Sequence, residues 1–314
     1  MPRAIYSWTL LAFAFSGLHA PAWGQVVPGT GTKLTQVGDD FEDEAWTFTL
    51  NLPKASSNLD RVDRQPAGFS SNQKWFESMY RGTPDLVKRV PTPAGGLPGS
   101  KGAMALRTTQ SGVPGQLSYK FQQDDLLANM TAIGFLPVNR TPSFVCRVYL
   151  PPFEQWEKRT GSHFGIRSDC VTIINKSSSS GRLFRSVTSS RKSEAYWPGF
   201  FIQFNSKHDS QAKEDSAMIL IRSGSRGEDL QGPMIKEPGW WTFGMSFTPD
   251  GQVHYYAKPG VGNLTAADHL KSTFPYGYTA MQVNTFFFNV VNQDDGRTWS
   301  TEFIVDDPSI YALQ

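Results

Sequence analysis

The stretch that decides the fold is the last one, Phe303-Ile304-Val305-Asp306-Asp307-Pro308-Ser309-Ile310-Tyr311. Its apolar residues suit the core of a sheet protein, and two adjacent carboxylates interrupt them. A similar acidic and apolar stretch, Asp39-Asp40-Phe41-Glu42, lies near the other end of the chain. We expect the two stretches to pair, so that one domain begins near residue 38 and closes with residues 303–311.

Between these stretches the sequence has the pattern of many short strands. They are rich in β-branched and aromatic residues and are separated by turns such as Thr248-Pro249-Asp250-Gly251-Gln252. From residue 102 onward only Asp124–Ala128 and Leu264–Leu270 look helical, with Thr265 placed to cap the second piece, and one short helix is expected earlier, around Thr83–Val87. Many strands with almost no helix predict an all-β sandwich or barrel. The predicted strands are residues 103–107, 115–121, 143–150, 163–174, 199–205, 217–222, 240–248, 252–257, 284–292 and 302–311.

The first hundred residues differ from the rest in composition. Residues 25–37 read as a Gly/Thr/Pro linker, and residues 38–100 are rich in proline with paired serines and glycines. We therefore expect one domain over residues 38–314, in which residues 38–100 are mostly loops wrapped on the sandwich. Long structured loops often shape binding sites.

The N-terminus has the pattern of a cleavable signal peptide over residues 1–24. Arg3 is followed by an apolar stretch from Trp8 to Leu18 and by Ala22-Trp23-Gly24, which places cleavage before Gln25. The apolar stretch is too short for a membrane span, so we expect a secreted or periplasmic protein. The net charge of +2, from 30 basic and 28 acidic residues, argues against a nucleic-acid partner.

The two cysteines, Cys146 and Cys170, both lie in strand-like runs. In an exported chain we expect a disulfide between them, and the alternative is two buried free thiols. Two cysteines alone do not make a zinc site.

Four segments carry a resemblance to a known family. They are Gly102–Arg107, Trp240–Phe247, Gly251–Ala257 and Val305–Tyr311. In this order they resemble the concanavalin A-like lectin/glucanase superfamily, over about residues 100–311. The resemblance implies a jelly-roll β-sandwich of two antiparallel sheets, with one sheet facing a polysaccharide or other glycan.

Three functions follow as hypotheses from that resemblance. Glycosidases of the superfamily carry alternating carboxylates on one strand face, and this chain lacks that pattern. Non-catalytic glycan binding is the favoured function, and a polysaccharide lyase acting by β-elimination on a uronic-acid-containing glycan is the alternative; a structural or surface-interaction domain stays open.

A lyase needs Tyr or His for proton transfer and Arg, Gln or Asn beside the carboxylate. Residues of these types that share strand faces are His163, Arg167, Gln203, Asn205, His254 and Tyr256. A solvated face of an ordinary antiparallel sheet has the same pattern.

Aromatic side chains in turn-rich segments are the other signal for sugars, because flat rings stack on them. Together with two polar strand residues, they form the predicted substrate-binding set. It consists of Arg147, Tyr196, Trp197, Tyr276, Tyr278, Asn289 and Trp299.

Four carboxylates form the predicted metal site. Asp40, Glu42, Asp306 and Asp307 would meet if the first and last stretches pair, and hard oxygen ligands suit a structural calcium ion. The alternative is a solvated acidic patch. Because neighbours on a regular strand face opposite ways, Asp306 and Asp307 are not expected to act together on one substrate.

Overall fold

The computed structural model describes residues 24–180, 186–209 and 211–314, and the side chains of these residues except 175–190. Residues 1–23 of the predicted signal peptide lie outside the described part. The chain forms two antiparallel sheets that pack face to face, so the predicted all-β sandwich is confirmed. No described helix is long and apolar enough to cross a membrane.

Sheet A runs in the order β17-β16-β15-β9-β19-β6-β5, and β1 also pairs with β19. Its strands are β1 (Thr32–Lys33), β5 (Leu86–Pro91), β6 (Gly102–Arg107), β9 (Ser143–Leu150), β15 (Gly239–Phe247), β16 (Val253–Pro259), β17 (His269–Thr273) and β19 (Phe303–Ala312).

Sheet B runs in the order β14-β13-β12-β10-β18-β7-β4-β3-β2, with β11 paired to β10 and β8 paired to β18. Its strands are β2 (Phe48–Thr49), β3 (Phe69–Ser70), β4 (Trp75–Glu77), β7 (Gln122–Ala128), β8 (Leu136–Pro137), β10 (Gly161–Ser180), β11 (Ser186–Tyr196), β12 (Gly199–Asn205), β13 (Ser216–Arg222), β14 (Asp229–Ile235) and β18 (Gln282–Asn292). The described helices are short: α1 (Ser57–Asp60) and the 3-10 turns Val138–Arg140, Phe153–Gln155, Ala266–Asp268 and Pro275–Gly277.

The core lies between the sheets and is built largely from aromatic rings. Phe286 of sheet B stacks on Phe144 of sheet A, with ring centroids 4.6 Å apart, and Phe288 stacks on Trp75 and Phe164. Phe303 stacks on Phe164 at 4.6 Å, which joins the closing strand to the centre of sheet B. Because side chains alternate along a strand, these rings point into the core and their sequence neighbours point to the outer face of each sheet.

The closing strand pairs with a segment that precedes the expected partner, residues 39–42, in the sequence. Thr32 and Lys33 form the ladder with β19, and Asp39 contributes only a hydrogen bond from its amide to the carbonyl of Pro308, 3.0 Å away. Residues of the predicted linker thus lie against sheet A. Val37 is fully buried in the core.

Four predicted elements differ from the structure, the first being the short helix around residues 83–87, where the chain instead leads into β5. The segment read as a helix at Asp124–Ala128 is β7, a central strand of sheet B, and residues 115–121 form no strand. The piece at Leu264–Leu270 holds one 3-10 turn, and Thr265 and Asp268 form the expected capping box before β17 begins.

The predicted disulfide is wrong, because Cys146 and Cys170 are free and fully buried. Cys146 lies on β9 of sheet A and Cys170 on β10 of sheet B, so each thiol fills space in the apolar core. Burial raises the pKa of both thiols, which keeps them protonated and unreactive.

Candidate functional site

A groove crosses the outer face of sheet B. It consists of two cavities of about 450 and 230 Å³ that share Arg81 and Gln123. The larger cavity is lined by Asn58, Ser78, Tyr80, Arg81, Gln123, Asp125, Leu127, Arg167, Asp169, Ala195, Trp197, Thr285 and Phe287. The smaller is lined by Arg81, Phe121, Gln122, Gln123, Ser162, Phe201, Arg222 and Val291.

Strand alternation places the floor of this groove. On β7, Gln123, Asp125 and Leu127 line the groove, whereas the side chains between them are buried toward the interior. On β18, Phe287 faces the groove between two core phenylalanines. Arg167 occupies the equivalent outward position on β10, which runs beside β18.

A glycine makes room for a polar network in the floor. Gly165 pairs with Asn289 across β10 and β18, and a Cβ on Gly165 would lie 2.5 Å from Asn289 Oδ1. The Asn289 amide donates to Asp125 Oδ1, and Gln123 Nε2 donates to the same oxygen from 3.0 Å. Burial raises the pKa of the Asp125 carboxyl, while the positive charges of Arg81 and Arg167 oppose that rise.

Arg167 lines the larger cavity and contacts two aromatic rings. Its guanidinium carbon is 5.2 Å from the ring centroid of Phe201 and 5.5 Å from that of Phe287. The guanidinium carbon of Arg222 also lies over Phe201, 4.7 Å from the ring centroid. These distances fit cation–π contacts. Burial, assisted by the nearby charge of Arg222, lowers the pKa of Arg167 to about 10.

The N-terminal section builds one wall. A turn at residues 78–82 attaches to β7 through Asp125, whose amide donates to the carbonyl of Gly82 over 2.9 Å and whose carbonyl accepts from Ser78 over 3.3 Å. This attachment holds Tyr80 and Arg81 at the edge of the groove. Asn58 of α1 joins them, since its amide donates to the Tyr80 carbonyl at 3.1 Å.

Several predicted site residues lie on this face. Arg167 and Trp197 line the groove, and Asn289 lies in its floor. Gln203 and Asn205 share the outer face of β12 with Phe201 and are hydrogen-bonded to each other at 3.1 Å, but they lie beyond the two cavities.

His163 is not among them. A β-bulge between Ser162 and Phe164 turns its ring into the core, where it is fully buried. Nδ1 lies 2.7 Å from Thr301 Oγ1 and Nε2 lies 3.1 Å from the Arg159 carbonyl. Burial, with the charge of Arg159, lowers the pKa of His163 well below its usual value. The prediction that His163 shares a face with Arg167 is therefore wrong.

His254 and Tyr256 lie on the outer face of sheet A, away from the groove, because Val253 and Tyr255 take the inward positions of β16. His254 Nδ1 is 2.7 Å from Ser272 Oγ, and Tyr256 packs in a small apolar cluster with Leu264. The structure does not bring them together with Arg167.

Arg147 also lies on the outer face of sheet A. Its Nη1 is 2.7 Å from Asp307 Oδ2 and its Nη2 is 3.2 Å from Asn263 Oδ1. Residues 26–28 of the N-terminal region cover part of this face: Ser246 Oγ donates to the Val26 carbonyl, and Pro28 packs over Gly244. The outer face of sheet A is thus largely occupied by the chain itself.

The predicted aromatic platform is divided between interior and surface. Tyr196 is buried and makes edge contacts with Tyr276 and Tyr278, at 5.8 and 5.4 Å, and these two half-buried rings pack against the core. Trp197 is 42% exposed and lines the groove. Trp299 is 39% exposed but lines neither cavity and stacks under Arg107.

The predicted calcium ligands are engaged by protein groups. Asp306 Oδ2 accepts from Ser100 at 2.9 Å, Glu42 accepts from the Lys101 amide at 2.9 Å, and Asp40 accepts from the Glu42 amide at 3.2 Å. Asp307 pairs with Arg147 and with Lys33. In the described part of the chain no three acidic, His or Cys side chains form a group that could hold a metal ion. These residues do not fit calcium.

Of the residues that line the two cavities, only Arg167 and Trp197 belong to the predicted site sets. Asp125 and Gln123 were missed because residues 122–128, Gln-Gln-Asp-Asp-Leu-Leu-Ala, lack the polar–apolar alternation that would indicate a strand. Tyr80 and Arg81 come from a loop, and only its attachment to β7 places them at the groove.

A scan against models of protein families finds no match, and a search of curated proteins finds none either. Similar solved structures include the binding domain of Paraclostridial Mosquitocidal Protein 1 (10% identity, TM-score 0.32), which matches 78% of this chain but only 46% of its own. An alginate lyase from Pseudomonas aeruginosa matches at 8% identity and TM-score 0.36 over 73% of this chain and 86% of its own. A GH131 beta-glucanase catalytic domain from Podospora anserina matches at 11% and 0.37 over 88% and 96%. All three TM-scores lie below 0.5, so no argument about family or function rests on these matches.

Proposed function

We propose that this chain is a secreted glycan-recognising protein and that the groove of sheet B binds an extracellular polysaccharide without cleaving it. The observation that carries the proposal is the composition of the groove, in which the exposed rings of Trp197 and Tyr80 lie beside amide and guanidinium side chains. Flat aromatic faces stack on sugar rings, and amide and guanidinium groups hydrogen-bond to hydroxyl groups. The signal-peptide pattern supports export.

The test compares two exposed tryptophans that differ in location. Trp197→Ala removes a ring from the groove, whereas Trp299→Ala removes one of similar exposure outside both cavities. We expect retention on immobilised polysaccharides to weaken by about tenfold for Trp197→Ala, the loss of one good stacking contact. Equal retention of both variants and the wild type, or no retention of the wild type by any glycan tested, would rule out the proposal.

A lyase is the second candidate, and one observation favours it. The phenol of Tyr80 lines the same cavity as Arg81 and Arg167. A tyrosine can exchange the proton next to a uronic acid carboxylate while arginine neutralises that carboxylate. The predicted histidines lie elsewhere, so Tyr80 takes the catalytic place in this candidate.

The two candidates separate in one assay. A lyase leaves an unsaturated uronic acid that absorbs ultraviolet light, so absorbance should rise with a polyuronate and stop rising for Tyr80→Phe. Binding of a polyuronate with no absorbance change would leave the non-catalytic function and remove the lyase.

A further inference from the structure

Arg167 is a buried cation without a protein anion. It is 6% exposed, its Nη2 donates to the Trp197 carbonyl over 2.8 Å, and its Nε has no partner. Among the described residues no carboxylate lies within ion-pair distance of its guanidinium, whereas the neighbouring Arg222 forms two 2.9 Å contacts with Asp229. Burying a charge without a partner is costly, so this arrangement needs a compensating group.

The nearby carboxylates are committed elsewhere. Asp125 accepts the amides of Asn289 and Gln123, and Asp169 accepts from Asn284 at 3.1 Å. Burial raises the pKa of both carboxyls, and the charge of Arg167 opposes that rise in each of them from beyond ion-pair distance. Arg81, at the junction of the two cavities, likewise has no ion pair among the described residues.

We infer that the groove binds an acidic polysaccharide, with a carboxylate or sulfate group of the sugar seated against Arg167 and Arg81. This inference rests on the proposed function and adds the chemical class of its ligand. The planar fork of arginine matches both anions through paired hydrogen bonds. The rings of Phe201 and Phe287, both buried, pack against the Arg167 guanidinium at cation–π distance and so support it at the groove floor.

The second cavity extends the same pattern along the groove. It shares Arg81 with the first cavity and contains Arg222. Because Arg222 is already paired with Asp229, Arg81 is the second-cavity arginine left to meet an anion, and a polymer that follows the groove passes it as it leaves Arg167. The ligand is therefore a chain rather than a single anion.

The experiment pairs charged and neutral versions of the same backbones. The probes are polygalacturonate and its methyl ester, alginate, and dextran sulfate and dextran, each immobilised for affinity electrophoresis with the wild-type protein. We expect retention by charged members and little by their neutral partners, and the carboxylated or sulfated arm that retains the protein identifies the anion. Equal retention by charged and neutral partners would overturn this inference and leave the proposed function intact. No retention by any of them would overturn both.

Two single-charge variants separate a site from diffuse attraction. Arg81→Gln removes a half-buried groove arginine, and Arg297→Gln removes an exposed one that lines neither cavity. We expect Arg81→Gln to weaken binding about 10- to 100-fold, the range for a hydrogen bond to a charged group, with Arg297→Gln unchanged. Arg167→Lys, which keeps the charge but loses the fork, should weaken binding similarly. Equal weakening by Arg81→Gln and Arg297→Gln would overturn the inference.

Discussion

Asp306 and Asp307 are neighbours on the closing strand, and we predict that replacing each by asparagine shifts stability in opposite directions at neutral pH. Asp306 is 1% exposed, and burial, with repulsion from Asp307 and Glu42, raises its pKa from 3.8 to about 6. The folded state therefore binds the proton more tightly than the unfolded state, so this contribution to stability is present below pH 3.8 and is lost as the pH rises through 6. A pKa rise of this size corresponds to about 3 kcal/mol.

The variant Asp306→Asn stays neutral and keeps an acceptor for Ser100. We expect its unfolding free energy in urea to exceed that of the wild type by about 1–3 kcal/mol at neutral pH, with the gap closing near pH 4. Asp307→Asn is the matched control: it removes the partner of Arg147, whose side chain is 5% exposed, and should destabilise by about 1–3 kcal/mol. A gap for Asp306→Asn that does not change with pH would refute the reasoning, as would a loss of stability at neutral pH.

Three further changes have defined outcomes. Lys54→Met should lower the unfolding free energy by about 3–5 kcal/mol, because it leaves the fully buried Asp124 without the cation 2.8 Å away; an unchanged urea midpoint would contradict this. Both cysteine thiols should react with a thiol reagent only in denaturant, and rapid reaction in the native protein would contradict their burial. Gly165→Ala should lower the unfolding free energy in urea by about 1–3 kcal/mol, because the added methyl group displaces Asn289. A Gly165→Ala/Asn289→Ala double variant should recover part of this loss. If the losses of the two single variants simply add in the double variant, the contact between them is not the cause.

The sandwich could be predicted because its strands are locally encoded. The runs at residues 143–150 and 199–205 have apolar residues at alternate positions and turns at both ends, and their predicted bounds match β9 and β12. The alternation of side chains along a strand also predicts that Arg167, Gln203 and Asn289 face away from the core.

The groove was harder to predict because its residues depend on tertiary contacts. Asp124 to Ala128 has residues common in helices, and only pairing with β18 and β4 makes it a strand. A β-bulge turns the side chain of His163 to the inner face of its strand, and a single sequence carries no reliable signal for a bulge. The sequence of a single strand also does not show which sheet the strand joins. Arg167 and His254 were therefore predicted to share a site although their strands lie in different sheets.

The central claim is that the groove of sheet B holds an extracellular glycan. Hydroxyl-radical footprinting with and without saturating polysaccharide tests it most directly, because Tyr80, Trp197 and Trp299 are all exposed and reactive rings. We predict that the glycan protects Tyr80 and Trp197, which line the groove, and leaves Trp299 as reactive as before. Protection of Trp299 with none at Tyr80 and Trp197 would place the ligand elsewhere and contradict the claim.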